Sequence, residues 1–152
     1  MNASSAEFSN AIIFHLELPN RLSELERLNP WLEQCANTIG LSARGTFRLQ
    51  LLLEEIVMNI FENAYVDEAE HLIDIRLNAW EEGLTIRIED DGVPFDQTVV
   101  PEKPIVTDIE TIQIGGLGLR LISAYSDQQN YQRRDDKNIL TLKITDSEPA
   151  SA

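Results

Sequence analysis

The sequence predicts an α+β fold, a two-layer α/β sandwich in which a mixed, mostly antiparallel sheet carries helices on one face. Two observations lead there. Strand-like alternation comes in hairpin pairs, 71–79 with 84–89 and 130–134 with 139–144, and two long helical patterns lie together between 20 and 65. Antiparallel pairs with helices gathered on one side bury both apolar surfaces as two layers. The 152 residues suit one domain, expected over 8–145 with flexible termini at 1–7 and 146–152, and 43% apolar composition allows a core.

A first strand is read at 11–18, where Ile12, Ile13, Phe14, Leu16 and Leu18 gather β-formers, and Pro19-Asn20 stops it. Asn20 is placed to cap a helix running to Ile39, with a kink or break near Asn29 because Pro30 follows, and Gly40 closes it. Ser42 caps a second helix over 43–65. Phe47, Leu51, Ile56, Ile60 and Phe61 recur on neighbouring turns, and Leu49, Leu52, Leu53 and Val57 widen the stripe, so this helix is expected to be central. The hairpin follows, turning at Glu81-Glu82-Gly83. Residues 94–114 hold Pro94, Pro101 and Pro104 without a period and read as a long binding loop or lid. A glycine run leads a short helix over 119–125, and the second hairpin turns at 135–138.

A formal charge of −14 repels phosphate backbones and argues against direct nucleic-acid binding. No apolar run is long enough to span a bilayer, and 1–10 lacks the basic-then-apolar order of a signal peptide. The one cysteine, Cys35, lies in apolar helical surroundings, reads as a buried thiol and excludes an internal disulfide framework. A cytoplasmic location is expected. His15 and His71 lack metal-ligand spacing and read as structural or surface residues; Trp31 and Trp80 read as core or edge packing.

Three segments carry chemistry. Glu55 and Asn59 are four apart and project from one helix face, whereas Glu54 points well away from Asn59; a carboxylate beside a carboxamide suits a hard cation and proton transfer. Asp90-Asp91-Gly92 ends a strand in a turn, with Gly92 free to take positive φ and a carboxylate able to accept from an exocyclic amine. Gly115-Gly116-Leu117-Gly118 opens a helix whose N–H groups and dipole favour phosphate. Each alone has a plainer reading: a solvent-facing pair, an acidic turn, a hinge. Neither a Rossmann nor a Walker pattern fits the glycines.

Taken in order, the three resemble the superfamily shared by DNA gyrase, ninety-kilodalton heat-shock chaperones, sensor histidine kinases and mismatch-repair proteins, whose fold is often called the Bergerat fold. The nearest resemblance within it is to the bacterial anti-sigma factor serine/threonine-protein kinases. EEIVMNIFENAY resembles the N-box, EDDGVPFD the first glycine box, GGLGLRLI the second, and YQRRDDKNILTLKI the closing hairpin, so the resemblance covers about 8–144. It implies ATP and Mg²⁺ as cofactors. It implies Asn59 as the Mg²⁺ ligand, Glu55 as the catalytic base near the γ-phosphate, and Asp90 as the acceptor for the adenine amino group with Gly92 letting the base lie close. Gly116 and Gly118 would wrap the phosphates, with Pro94, Leu117 and Leu119 completing the nucleotide contacts. The implied acceptor is a serine or threonine on an anti-sigma antagonist protein, and the second partner is a sigma factor. Homodimers are common in the subgroup, and no surface stripe in this sequence marks one.

The chain departs from the pattern in places. Asn63 stands where the subgroup frequently has histidine or lysine, Pro94 where the wider superfamily has glycine, and Lys103 is the only cationic side chain between Phe95 and Ile114; Arg120 offers either compensation or a solvated surface charge. The expected function is therefore an ATP-dependent kinase acting in transcription regulation. A catalytically weak ATP-gated protein-binding module is the alternative. A third possibility is the detached catalytic half of a histidine-kinase relay, although no phosphoacceptor histidine on a dimerisation helix is found.

Overall fold

The computed structural model describes residues 12–81, 83–99, 122 and 125–145. Strand β1, Ile12–Pro19, is followed by a single 3-10 turn at Leu22–Glu24, helix α1, Leu25–Ile39, and helix α2, Ala43–Asn63. The hairpin of β2, Leu72–Ala79, and β3, Gly83–Asp90, comes next, and β4, Gln128–Arg134, with β5, Lys137–Thr145, ends the fold. The sheet order is β1-β2-β3-β5-β4, and every described pairing is antiparallel. Ile122 and Tyr125 are helical, in line with a short helix before β4.

The alternation in the two central strands sets the layers. Ile73, Ile75, Leu77 and Ala79 of β2 and Leu84, Ile86 and Ile88 of β3 are buried, and Leu140 and Leu142 of β5 join them in the register Ile88↔Leu140 and Ile86↔Leu142. Against this face pack Leu28 and Leu32 of α1 and Leu49, Leu52, Leu53, Ile56, Val57 and Ile60 of α2. That spacing is one helical stripe. It differs from the stripe led by Phe47, which is 62% exposed because it lies one residue off the buried row at the helix start. Cys35 is buried, and desolvation pushes its thiol up to about 11, which makes it a packing residue.

The helix boundaries follow local chemistry. Ser42 Oγ accepts from Gly45 N at 2.9 Å, and Gly40, at φ 74°, ends α1 with its N–H on Ala36 O. Two expectations are corrected. Asn20 does not cap α1: its Oδ1 accepts from His71 N at 2.9 Å, while its own N–H donates to His71 O. Of the kink or break expected near Asn29, the break is absent, since α1 runs through Pro30. The proline withholds one N–H in the exposed second turn, where water can serve the freed carbonyl.

Asp135 and Asp136, at φ 54° and 62°, make the two-residue turn of the β4–β5 hairpin. Successive positive φ values suit a primed turn, whose twist matches the strands, and aspartate tolerates them. Trp80, whose Nε1 donates to Thr85 Oγ1 at 2.8 Å, packs at the other hairpin end.

Candidate functional site

The core faces of β3 and β5 both end in a polar residue. Asp90 continues the row of Leu84, Ile86 and Ile88, and its register partner Asn138 continues that of Leu140 and Leu142. Both are 4% exposed. Burial at these positions requires partners. Asp90 Oδ1 accepts from Gly92 N and from Asn138 Nδ2, each at 2.9 Å; no described residue donates to Oδ2. Desolvation raises the Asp90 pKa, while the bonds from Asn138 and Gly92 oppose that rise. Asn138 is fully engaged: Nδ2 also donates to Val93 O at 2.8 Å, and Oδ1 accepts from Phe95 N at 3.1 Å and from Tyr131 Oη.

From Asp90 the chain crosses to the end of α2. Val93 N donates to Ala64 O at 2.6 Å, and Arg133 Nη1 donates to Gly92 O at 2.6 Å. Gly92 does not use the positive φ that it is free to take, since Gly40 is the only described glycine that does. Glycine is needed there for space. A Cβ would collide with the Ala64 carbonyl oxygen and lie 2.5 Å from the Ala64 Cβ. Pro94 is exposed in this crossing, between the two residues that Asn138 holds.

The loop then passes under the polar pair of α2. Gln97, 3% exposed, donates through Nε2 to Ile56 O at 3.3 Å and accepts from Asn59 Nδ2 at 3.3 Å. Glu55 and Asn59 are half-buried on the helix flank facing this loop, and Glu54 is exposed, as the helical spacing predicts. Desolvation raises the Glu55 pKa, and Glu54 and Glu62 add to it. Asn63 Nδ2 turns back to Asn59 O at 2.9 Å. The structure thus brings Asp90, Gly92, Pro94, Glu55 and Asn59 to one end of the sandwich. Gly116, Leu117, Gly118 and Leu119, with Arg120 and Lys103, lie outside the described residues.

Sequence reading missed four contributors. Asn138 appeared only as part of a polar turn, and Gln97 as part of a long loop. Tyr65 stacks on His71 with ring centroids 4.5 Å apart, and its hydroxyl is the one buried side-chain nitrogen or oxygen without a hydrogen-bond partner among the described residues. Burial, then Asp90 and Asp91, raise the Tyr65 pKa, so it stays a neutral phenol beside the acidic turn. His71, taken as a structural or surface residue, joins two acidic segments: Nε2 meets Asp67 Oδ1 at 2.7 Å and Nδ1 meets Asp91 Oδ1 at 2.9 Å. Only the strand-alternation rule, applied to β5, could have marked Asn138 as a polar residue on a core face.

Asp90 offers a fixed carboxylate oxygen, and a carboxylate accepts from an amine. Asn59, with Nδ2 occupied and no described donor on Oδ1, offers a hard oxygen beside the Glu55 carboxylate, a donor set that fits Mg²⁺. On the opposite sheet face, the β1–β2 register brings His15, Glu17 and Asp74 together where the sequence shows no ligand spacing; there His15 Nε2 meets Asp74 Oδ2 at 2.7 Å and Arg76 shares the same carboxylate.

Residues 18–144 match the family described as the histidine kinase-like ATPase domain. The serine/threonine-protein kinase BtrW of Bordetella bronchiseptica is 34% identical over 112 residues, covering 74% of this chain and 79% of that protein. The serine-protein kinase RsbW of Bacillus subtilis is 23% identical over 145 residues, covering 92% and 90%. Among solved structures, the blue-light activated histidine kinase of Erythrobacter litoralis EL346 shares the fold with a TM-score of 0.54 at 20% identity; the match covers 82% of this chain and 43% of that one. No helix among the described residues is long and apolar enough to cross a membrane.

Proposed function

Because the chain belongs to the histidine kinase-like ATPase family, and within it to the anti-sigma factor serine/threonine-protein kinases, we propose that it binds ATP, phosphorylates a serine or threonine of an anti-sigma antagonist protein, and separately binds a sigma factor. The observation that carries the nucleotide assignment is Asp90, buried at the end of β3 with both described bonds on Oδ1. Oδ2 is the oxygen assigned to the adenine amino group, with Gly92 and Pro94 along the base. The phosphates are assigned to Gly116, Leu117, Gly118 and Leu119, where the sequence pattern leads one to expect a glycine-led helix start that suits an anion.

Asn59 is assigned to Mg²⁺ through Oδ1. When bound, the ion neutralises phosphate charge during transfer. Glu55 is the assigned base. Its raised pKa brings it nearer neutrality, which suits accepting the proton of the attacking hydroxyl as oxygen bonds to the γ-phosphorus and ADP leaves. The test is Glu55→Ala with a cognate antagonist and ATP. Loss of phosphotransfer with ATP binding kept supports the kinase reading. A wild-type protein that phosphorylates no antagonist refutes it.

Two observations favour a second reading, a catalytically weak ATP-gated binding module. Glu54 and Glu62 surround Glu55 with negative charge, and Asn63 turns to the Asn59 carbonyl where the subgroup frequently has a cation. On this reading Glu55→Ala leaves ATP-dependent partner binding intact, and the wild type shows no phosphotransfer.

A further inference from the structure

Asn59 has two nearly isosteric ends, and only Oδ1 can ligate a cation. Its orientation is decided by a neighbour 38 residues away. Ile56 O is a helix carbonyl and can only accept, so Gln97, 3.3 Å from it, must turn Nε2 toward α2. That leaves Gln97 Oε1 facing Asn59, and an oxygen there admits only Nδ2, found at 3.3 Å. Reversing both amides would set Gln97 Oε1 against the Ile56 carbonyl, acceptor against acceptor. Gln97 is 3% exposed, so water offers little substitute for these bonds.

We infer that Gln97 is a positioning residue that holds the Asn59 carboxamide with Oδ1 outward for Mg²⁺, so that the loop leaving Asp90 couples the adenine end of the pocket to its metal end. This rests on the assignment of Asn59 to the metal in the proposed function. In the bonded arrangement Oδ1 receives no described hydrogen bond and needs no reorganisation before meeting a cation. With an apolar side chain at 97, every pose that aims Oδ1 outward costs the half-buried Nδ2 its Gln97 acceptor, so that pose is less favoured.

The experiment compares ATP affinity in EDTA and in Mg²⁺ for the wild type and for Gln97→Met, which keeps volume and removes both polar ends. The wild type binds ATP more tightly in Mg²⁺. In the variant this tightening shrinks about three- to tenfold while affinity in EDTA stays within about twofold, as a smaller competent fraction predicts. Equal losses in both conditions would mean that Gln97 only supports the loop, and would overturn the inference. So would full Mg²⁺ tightening in the variant. A wild type with no Mg²⁺ dependence would instead sink the metal assignment of Asn59 itself. The wild type alone supplies a second measurement if the variant folds poorly. Slow-exchanging Asn59 side-chain amide protons with an NOE to Gln97 support the arrangement; exchange as fast as that of the exposed Asn130 side chain overturns it.

Discussion

At the scale of single residues, the two oxygens of Asp90 have separable duties. Oδ1 is a structural acceptor for Gly92 and Asn138, and Oδ2 is the oxygen assigned to a ligand. Asp90→Asn separates them, because the asparagine oxygen can keep both structural bonds while its amide nitrogen faces an amine with another donor. The carboxyl is raised by desolvation, so its ionised form at neutral pH opposes folding, and this penalty is relieved as pH falls through the folded-state pKa. The variant is therefore expected to melt at the wild-type temperature or slightly above it at pH 7, and to bind ATP about 100-fold more weakly, the scale of a lost charge-assisted bond plus a donor facing a donor. Unchanged ATP affinity would remove Asp90 from the adenine. Tyr65 gives the complementary case. Its hydroxyl is buried without a partner among the described residues, and Tyr65→Phe keeps the stack on His71, so the variant is expected to be more stable by up to about 1 kcal/mol in denaturant titration.

At the scale of elements, the site is held by ties between segments that the periodic pattern does not connect. His71 just before β2 ties the segment after α2, through Asp67, to the turn after β3, through Asp91. Its pKa is raised, first by the bond to Asp67 and then by Asp91, so the charged imidazole stabilises the fold. That contribution is fully present below the unfolded value of about 6.5 and is lost as pH rises through the folded-state pKa. His71→Gln can still bond but cannot titrate. The gap in melting temperature between wild type and variant should be widest near pH 6 and narrow toward pH 9; a gap constant with pH would assign His71 to packing alone. These ties also show how much could be read from sequence. The hairpins, Ser42 and Gly40 were legible because alternation and capping act within a few residues. The pair Glu55–Asn59 was legible because one helical turn sets it. Asn138, Gln97, His71 and the steric need for Gly92 were not, because the partners they meet across the fold, Asp90, Ile56, Asp91 and Ala64, lie between 20 and 48 residues away and meet only once the register is set. Asn20 was misread for the same reason: its real partner is His71.

At the scale of the whole molecule, charge works against the proposed ligand. The chain carries a formal −14, and Glu54, Glu55, Glu62, Asp90 and Asp91 gather at the pocket end, with Arg133 bonded to Gly92 O and His71 between two carboxylates. A polyanionic nucleotide thus approaches a surface of its own sign. On the proposed assignments, tight binding then depends on short-range groups that the long-range field does not supply: the Asp90 acceptor, the 115–118 glycine segment and a metal. Such repulsion is screened over about 10 Å at 0.1 M salt, and it acts mainly on the association rate. Raising ionic strength from about 0.02 M to about 0.2 M should therefore speed ATP association severalfold in EDTA, the reverse of the slowing that steered pairs of opposite charge show. In Mg²⁺ the acceleration should be smaller, because the ion reduces the nucleotide charge before encounter. Stopped-flow binding of a fluorescent ATP analogue checks both arms. Association that slows with salt would mean that the local potential at the pocket mouth is positive, and that cationic side chains outweigh the acidic groups gathered at this end of the sheet.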